Sequence, residues 1–172
     1  MLETPTGFTI TEDAHIDEDT RERYGAALRL LEQQNYRGGI ALLLEVTQRA
    51  PSVSAPHLDL GIAYGRSGDL DNGIASLERA VALNPRHPVA YNELGLLYRK
   101  KGEFAKARAS YEHALQQSPQ FHYALLNLAI LCDLYLGDVG CALDNYVAYQ
   151  QTMPDDKNAA MWVADLRTRA NK

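Results

Sequence analysis

The sequence lacks the features that would mark a membrane protein, an enzyme or a nucleic-acid binder. Its longest apolar runs fall well short of the ~18 residues that a membrane span needs, which leaves no transmembrane segment. No Gly-x-Ser-x-Gly, His-Glu-x-x-His, phosphate-binding loop or dinucleotide fingerprint occurs, so nothing marks a nucleophile, a catalytic metal or a nucleotide cofactor. No enzyme and no cofactor are expected. No basic stripe offsets phosphate charge, which excludes nucleic acid as the expected partner. The opening residues, Met1-Leu2-Glu3-Thr4-Pro5, carry neither the basic segment nor the apolar core of a secretory signal. Basic residues are missing altogether from residues 1–19, which hold Glu3, Glu12, Asp13, Asp17, Glu18 and Asp19. The net charge is −5, and without those six acids 17 basic residues face 16 acidic ones, so the rest of the chain is nearly neutral. Cysteine is scarce. Cys132 and Cys141 read as reduced, buried or half-buried thiols, with a disulfide or a metal site as the alternatives. Reduced thiols point to a cytoplasmic protein, or to a periplasmic or envelope-associated one if a signal has been removed.

What the sequence does have is a repeat. Leu60, Gly61, Tyr64, Gly68 and Pro85 recur 34 residues later as Leu94, Gly95, Tyr98, Gly102 and Pro119. With Ser54 and Pro88 as position 1 of their copies, position 8 is Gly61 or Gly95 and position 20 is Gly73 or Ala107, all small. Two antiparallel helices can approach closely there, while the large residues at positions 11 and 24 fill the space beside them. Gly68 and Gly102 suit the positive φ of a helix end, and Pro85 and Pro119 end the second helix of each pair. The frame extends upstream to a degenerate copy with Ala27, Gly39, Leu43 and Pro51 in register. Downstream, Gly137 and Pro154 each arrive one residue late. A single residue is therefore inserted between Cys132 and Gly137, and a widened turn or bulge is expected near Leu134 to Leu136.

A 34-residue period with an L-G-x-x-Y opening and a closing proline resembles the tetratricopeptide repeat. The resemblance implies an all-α fold, a right-handed superhelix of antiparallel helix pairs with about nine helices. Repeats fall at about 20–53, 54–87, 88–121 and 122–156, with a capping helix at about 157–170. The domain spans 19–172 and fills the chain, after an acidic, mobile tail over residues 1–18. Helix one is expected to begin at Asp19, capped by it with Glu22 reaching back. In the last helix Ala159, Trp162, Val163, Leu166 and Ala170 form one apolar stripe, as a cap needs.

The resemblance also implies an inner, concave face lined by the first helix of each pair through positions 2, 5, 9, 12 and 13. In this chain the candidate partner-binding residues are Tyr24, Leu58, Ile62, Arg66, Asn92, Leu96, Arg99, Lys100, Tyr123, Leu126 and Ile130. They make an apolar floor with a basic rim, suited to an amphipathic helix or an extended apolar peptide. One subgroup of the family grips a C-terminal carboxylate with Lys and Asn at positions 5 and 9. Here Tyr24 and Leu28, then Leu58 and Ile62, stand there, so that clamp is missing. His57 reads as a packing substitute for a large residue, and His87 and His122 as polar residues at repeat junctions. The cluster Arg99, Lys100, Lys101, Lys106 and Arg108 reads as a solvated face. Its alternative is a contact with the acidic tail of a neighbouring molecule through Asp17, Glu18 and Asp19, a possible homo-oligomer. The function these features imply is a non-catalytic scaffold or adaptor that holds a protein or peptide partner. The alternatives are an assembly subunit of a bacterial envelope, pilus or secretion complex and, more weakly, a regulatory module of a larger enzyme.

Overall fold

The structure, a computed structural model, describes residues 2–4, 7–9 and 16–170. Among them, nine α-helices follow two short strands. The helices are α1 (Glu18–Glu32), α2 (Tyr36–Arg49), α3 (Ser54–Ser67), α4 (Leu70–Leu83), α5 (Pro88–Lys100), α6 (Phe104–Gln117), α7 (His122–Leu131), α8 (Val139–Thr152) and α9 (Lys157–Ala170). Each odd helix packs against the even one that follows it, and α9 packs on α8. The helix pairs stack as the solenoid that the 34-residue period requires.

Of the acidic segment expected over residues 1–18, only 2–4, 7–9 and 16–18 are described, and the rest of that expectation lies outside the described residues. Strand β1 (Leu2–Thr4) pairs antiparallel with β2 (Gly7–Thr9), Leu2 opposite Thr9 and Thr4 opposite Gly7. Thr4, Phe8 and Thr9 suit an extended backbone better than a helix. The first helix also begins earlier than Asp19. Asp17 is its cap, accepting from the Thr20 backbone N–H at 2.8 Å. Asp19 is instead drawn into ion pairs with Arg23 and Arg49.

Position 16 of three repeats carries the same device. Asn35, Asp69 and Asp138 accept from the backbone N–H of Gly38, Asn72 and Cys141, satisfying donors that the first turn of a helix leaves open. Glu103, one methylene longer, makes no such bond and turns to Lys101 and Lys106. Position 15 takes a positive φ in all four turns: Gly68, Gly102 and Gly137 at 93°, 81° and 65°, and Gln34 at 59°.

The core is built from the columns that the repeat pattern marks. At position 24, Leu43, Leu77 and Tyr111 are fully buried and Tyr146 is 3% exposed. A Cβ added to Gly61 would lie 2.5 Å from Leu77 Cγ, and one added to Gly95 would lie 2.5 Å from Tyr111 Cε1. Small residues at position 8 are thus what let the large ones at position 24 sit against the partner helix. In α9, Ala159, Val163 and Leu166 are buried and Trp162 packs beside Tyr146 with ring centroids 5.1 Å apart. Ala170 ends the expected stripe in solvent. The inserted residue of the fourth repeat is absorbed by a π turn at Cys132–Leu136. That turn is tied to α8 by a disulfide between Cys132 and Cys141, which corrects the expectation of reduced thiols.

Candidate functional site

Neighbouring repeats meet mainly where the second helix of one packs on the first helix of the next, and their first helices also touch. Asn127 Nδ2 on α7 donates to Asn92 Oδ1 on α5 at 2.9 Å, and Lys100 Nζ on α5 donates to the Gly65 carbonyl on α3 at 3.4 Å. Tyr24 on α1 donates its hydroxyl to Asp59 on α3. These contacts place α1, α3, α5 and α7 on one side of the stack, the side that the resemblance implies is the inner one.

The expected floor is only partly available to a partner. Leu58 is 9% exposed and Asn92 3%. Position 5 in these two repeats therefore serves packing between repeats, and neither side chain offers surface. Tyr24, Ile62, Leu96, Leu126 and Ile130 are half-buried, each with one side against the core. Tyr123 stands out at 57% exposed. Position 9 thus contributes the half-buried apolar side chains of Ile62, Leu96 and Ile130.

A polar stripe runs beside it, at position 6, which the sequence reading passed over. Asp59, Glu93 and Asn127 form this column, and their recurrence 34 residues apart was the signal that could have shown it. Glu93 accepts from Asn92 Nδ2 at 3.2 Å. Burial holds the carboxyls of Asp59 and Glu93 above the usual range, opposed by the Tyr24 hydrogen bond in the first and by Asn92, Arg66 and Lys100 in the second.

The basic cluster splits in two. Lys101 pairs with Asp71 at 2.6 Å, Lys106 with Glu103 at 2.6 Å, and Arg108 with Glu112 and Asp138 at 2.9 and 3.2 Å. Arg66, Arg99 and Lys100 make no ion pair with any described residue, so the rim of the inner face keeps cations without a carboxylate partner among the described residues. Arg99 lies over the Tyr135 ring, 5.9 Å from its centroid. The tail contact loses two of its three acids, because Asp17 caps α1 and Asp19 is paired within the chain. His57 is half-buried with its imidazole pKa lowered by burial, and Nε2 finds no hydrogen-bond partner among the described residues. His87 caps α5, its Nδ1 accepting from the Ala90 N–H at 3.2 Å. Cys132, Asp138 and Cys141 come together, with both sulfurs committed to the disulfide.

A side-by-side helix pair repeated every 34 residues, with its inner face assembled in this way, agrees with a direct comparison of sequences. Residues 58–131 match the model of the tetratricopeptide repeat. Over that stretch the chain is similar to tetratricopeptide repeats. Such repeats generally serve as non-catalytic interaction modules. No curated protein matches the sequence. Solved structures share the fold. MamA from Desulfovibrio magneticus superposes with a TM-score of 0.80 at 15% identity, covering 91% of this chain and 88% of its own. TTC0263, a thermophilic tetratricopeptide-repeat protein of Thermus thermophilus, gives 0.71 at 24% identity over 88% and 82%. YrrB, described as a tetratricopeptide-repeat protein with an unusual peptide-binding site, gives 0.72 at 18% identity over 83% and 73%. No helix among the described residues is long and apolar enough to cross a membrane.

Proposed function

We propose that this repeat array is a non-catalytic adaptor that holds a peptide or helix of a partner protein against its inner face. The observation that carries the reading is the composition of that face. The face combines the half-buried Ile62, Leu96 and Ile130, the exposed Tyr123 and a rim of Arg66, Arg99 and Lys100, which have no carboxylate partner among the described residues. Burying a few such side chains supplies several kcal/mol at about 25 cal/mol per Å² before the ordering entropy is subtracted. The peptide-binding site named for YrrB supports the same mode. The test compares two variants for capture of partners from extracts of the source cells. Leu96→Asp with Tyr123→Asp is expected to lose the partner, while Leu44→Asp, on α2, keeps it. Retention by the first and loss by the second would overturn the reading. Leu58→Asp is unsuitable, because Leu58 is 9% exposed and a charge there attacks the core.

A second reading, an assembly subunit of a bacterial envelope or secretion complex, is favoured by one observation, the Cys132–Cys141 disulfide. Disulfides persist in oxidising compartments such as the periplasm and are rare in the cytoplasm. Protein trapped with acid from its native cells and treated with a maleimide reagent is then expected to take up none. Two labels per chain would place it in a reducing compartment.

A further inference from the structure

We infer that the edge of the inner face beside the turns of the second, third and fourth repeats takes a partner segment in which carboxylates stand next to a large apolar side chain. This rests on the proposed inner-face binding and names the chemistry of what binds there. Two features meet at this edge. The first is positive charge: Arg66, Arg99 and Lys100, at the ends of α3 and α5, have no carboxylate partner among the described residues, although Lys101, Lys106 and Arg108 nearby are all paired. Glu93 acts on Arg66 and Lys100, so one half-buried acid faces two of the three cations and positive charge remains in excess.

The second feature is an apolar ledge. The π turn presents Leu134, Tyr135 and Leu136 in succession at 70%, 48% and 38% exposed. A helix continuing in register would not show three consecutive large apolar residues to water. The disulfide from Cys132 to Cys141 anchors the turn at its first residue. Tyr135 joins the two features, with Arg99 over its ring and Phe104 packed against it at 5.0 Å between centroids.

Charge complementarity selects the occupant. Guanidinium groups pair carboxylates in a bidentate fork, and an apolar neighbour on the same segment covers the ledge and dries the pair. A basic segment is repelled, and a purely apolar one leaves three cations desolvated without partners. Nucleic acid fits badly, because Asp59 and Glu93 on the same face oppose a phosphate chain.

The test selects a random peptide library displayed on phage against the full chain. Selected peptides are then synthesised with a fluorophore and titrated by anisotropy. We expect sequences enriched in Asp or Glu beside Leu, Phe or Tyr. The triple charge reversal Arg66→Glu, Arg99→Glu and Lys100→Glu is expected to weaken binding at least about tenfold, and raising NaCl from about 0.05 to about 0.5 M is expected to weaken binding to the wild type. Leu134→Ser with Tyr135→Ser is expected to weaken it as well. Arg66, Lys100, Leu134 and Tyr135 are exposed and Arg99 is half-buried, and far-ultraviolet circular dichroism of each variant checks that the helical fold is unchanged. Peptides that lose affinity with Leu96→Asp and Tyr123→Asp, yet carry no acidic bias and bind the triple variant as well as the wild type, would overturn this inference and leave inner-face binding standing. Peptides indifferent to every inner-face substitution would overturn both.

Discussion

The helix crossing inside the second repeat gives the sharpest physical test, because one chemical change is expected to act with opposite sign at two positions. Gly25 and Gly61 both lie inside helices, where Gly→Ala gains about 1 kcal/mol of helix propensity. At Gly25 the added methyl meets nothing nearer than Arg29 Nη1 at 3.5 Å, the far end of a flexible side chain. The gain there is kept. At Gly61 the methyl would lie 2.5 Å from Leu77 Cγ and 3.0 Å from the Gly73 carbonyl oxygen. Leu77 is fully buried and has no space to retreat into, so α3 and α4 must separate. Overpacking of this kind costs about 1–3 kcal/mol, which matches or exceeds the propensity gain. Thermal unfolding followed by circular dichroism separates the two. Gly25→Ala is expected to raise the melting temperature by about 2–4 °C, the shift per kcal/mol for chains of this size, and Gly61→Ala to leave it unchanged or lower it by a similar amount. A rise at Gly61 equal to that at Gly25 would refute the close crossing on which the repeat packing depends.

Three further outcomes follow from single sites. Gln34 holds a φ of 59° where the other three repeats have glycine, so Gln34→Gly is expected to stabilise the first repeat by about 1 kcal/mol, read as slower amide exchange in α1 and α2. The Tyr111 hydroxyl is buried without a hydrogen-bond partner among the described residues. Tyr111→Phe is therefore expected to raise stability by about 1 kcal/mol in chemical denaturation, and a loss of that size would show that the hydroxyl has a partner. Burial raises the Glu93 pKa above its unfolded value of 4.5. The folded state thus binds the proton more tightly, and stability is gained as pH falls through the folded pKa and lost as pH rises through it. Glu93→Gln is expected to be more stable than the wild type at pH 7, with the advantage vanishing below about pH 4.5; an advantage that grows on acidification would contradict the assignment.

Much of this fold is legible in the sequence because the repeat states each packing rule more than once. The columns of small residues at position 8 and large residues at position 24, with glycine at the turns, each recur across several copies, and the helix boundaries follow from them. The one-residue slip between Cys132 and Gly137 was legible as well, and the structure turns it into a π turn. What periodicity does not show is how deep a position lies. Leu58 and Leu126 share position 5, yet only the former is fully packed away, because depth depends on the neighbouring repeat. Nor does spacing decide which charges are spent. Asp19 and Lys101 look as free as Glu18 and Lys100 until the stacking brings Arg49 and Asp71 beside them. The pairing of Cys132 with Cys141 likewise depends on how the π turn presents the first sulfur to α8.

The central claim is that the inner wall of the stack is its working surface. Methyl-resolved NMR of the chain titrated with a selected acidic, apolar peptide tests it most directly. The account predicts shifts at Ile62, Leu96, Leu126, Ile130 and Leu134, with Leu44 on α2 unmoved. Shifts at Leu44 and on α4 and α6, with the five inner methyl groups silent, would contradict it.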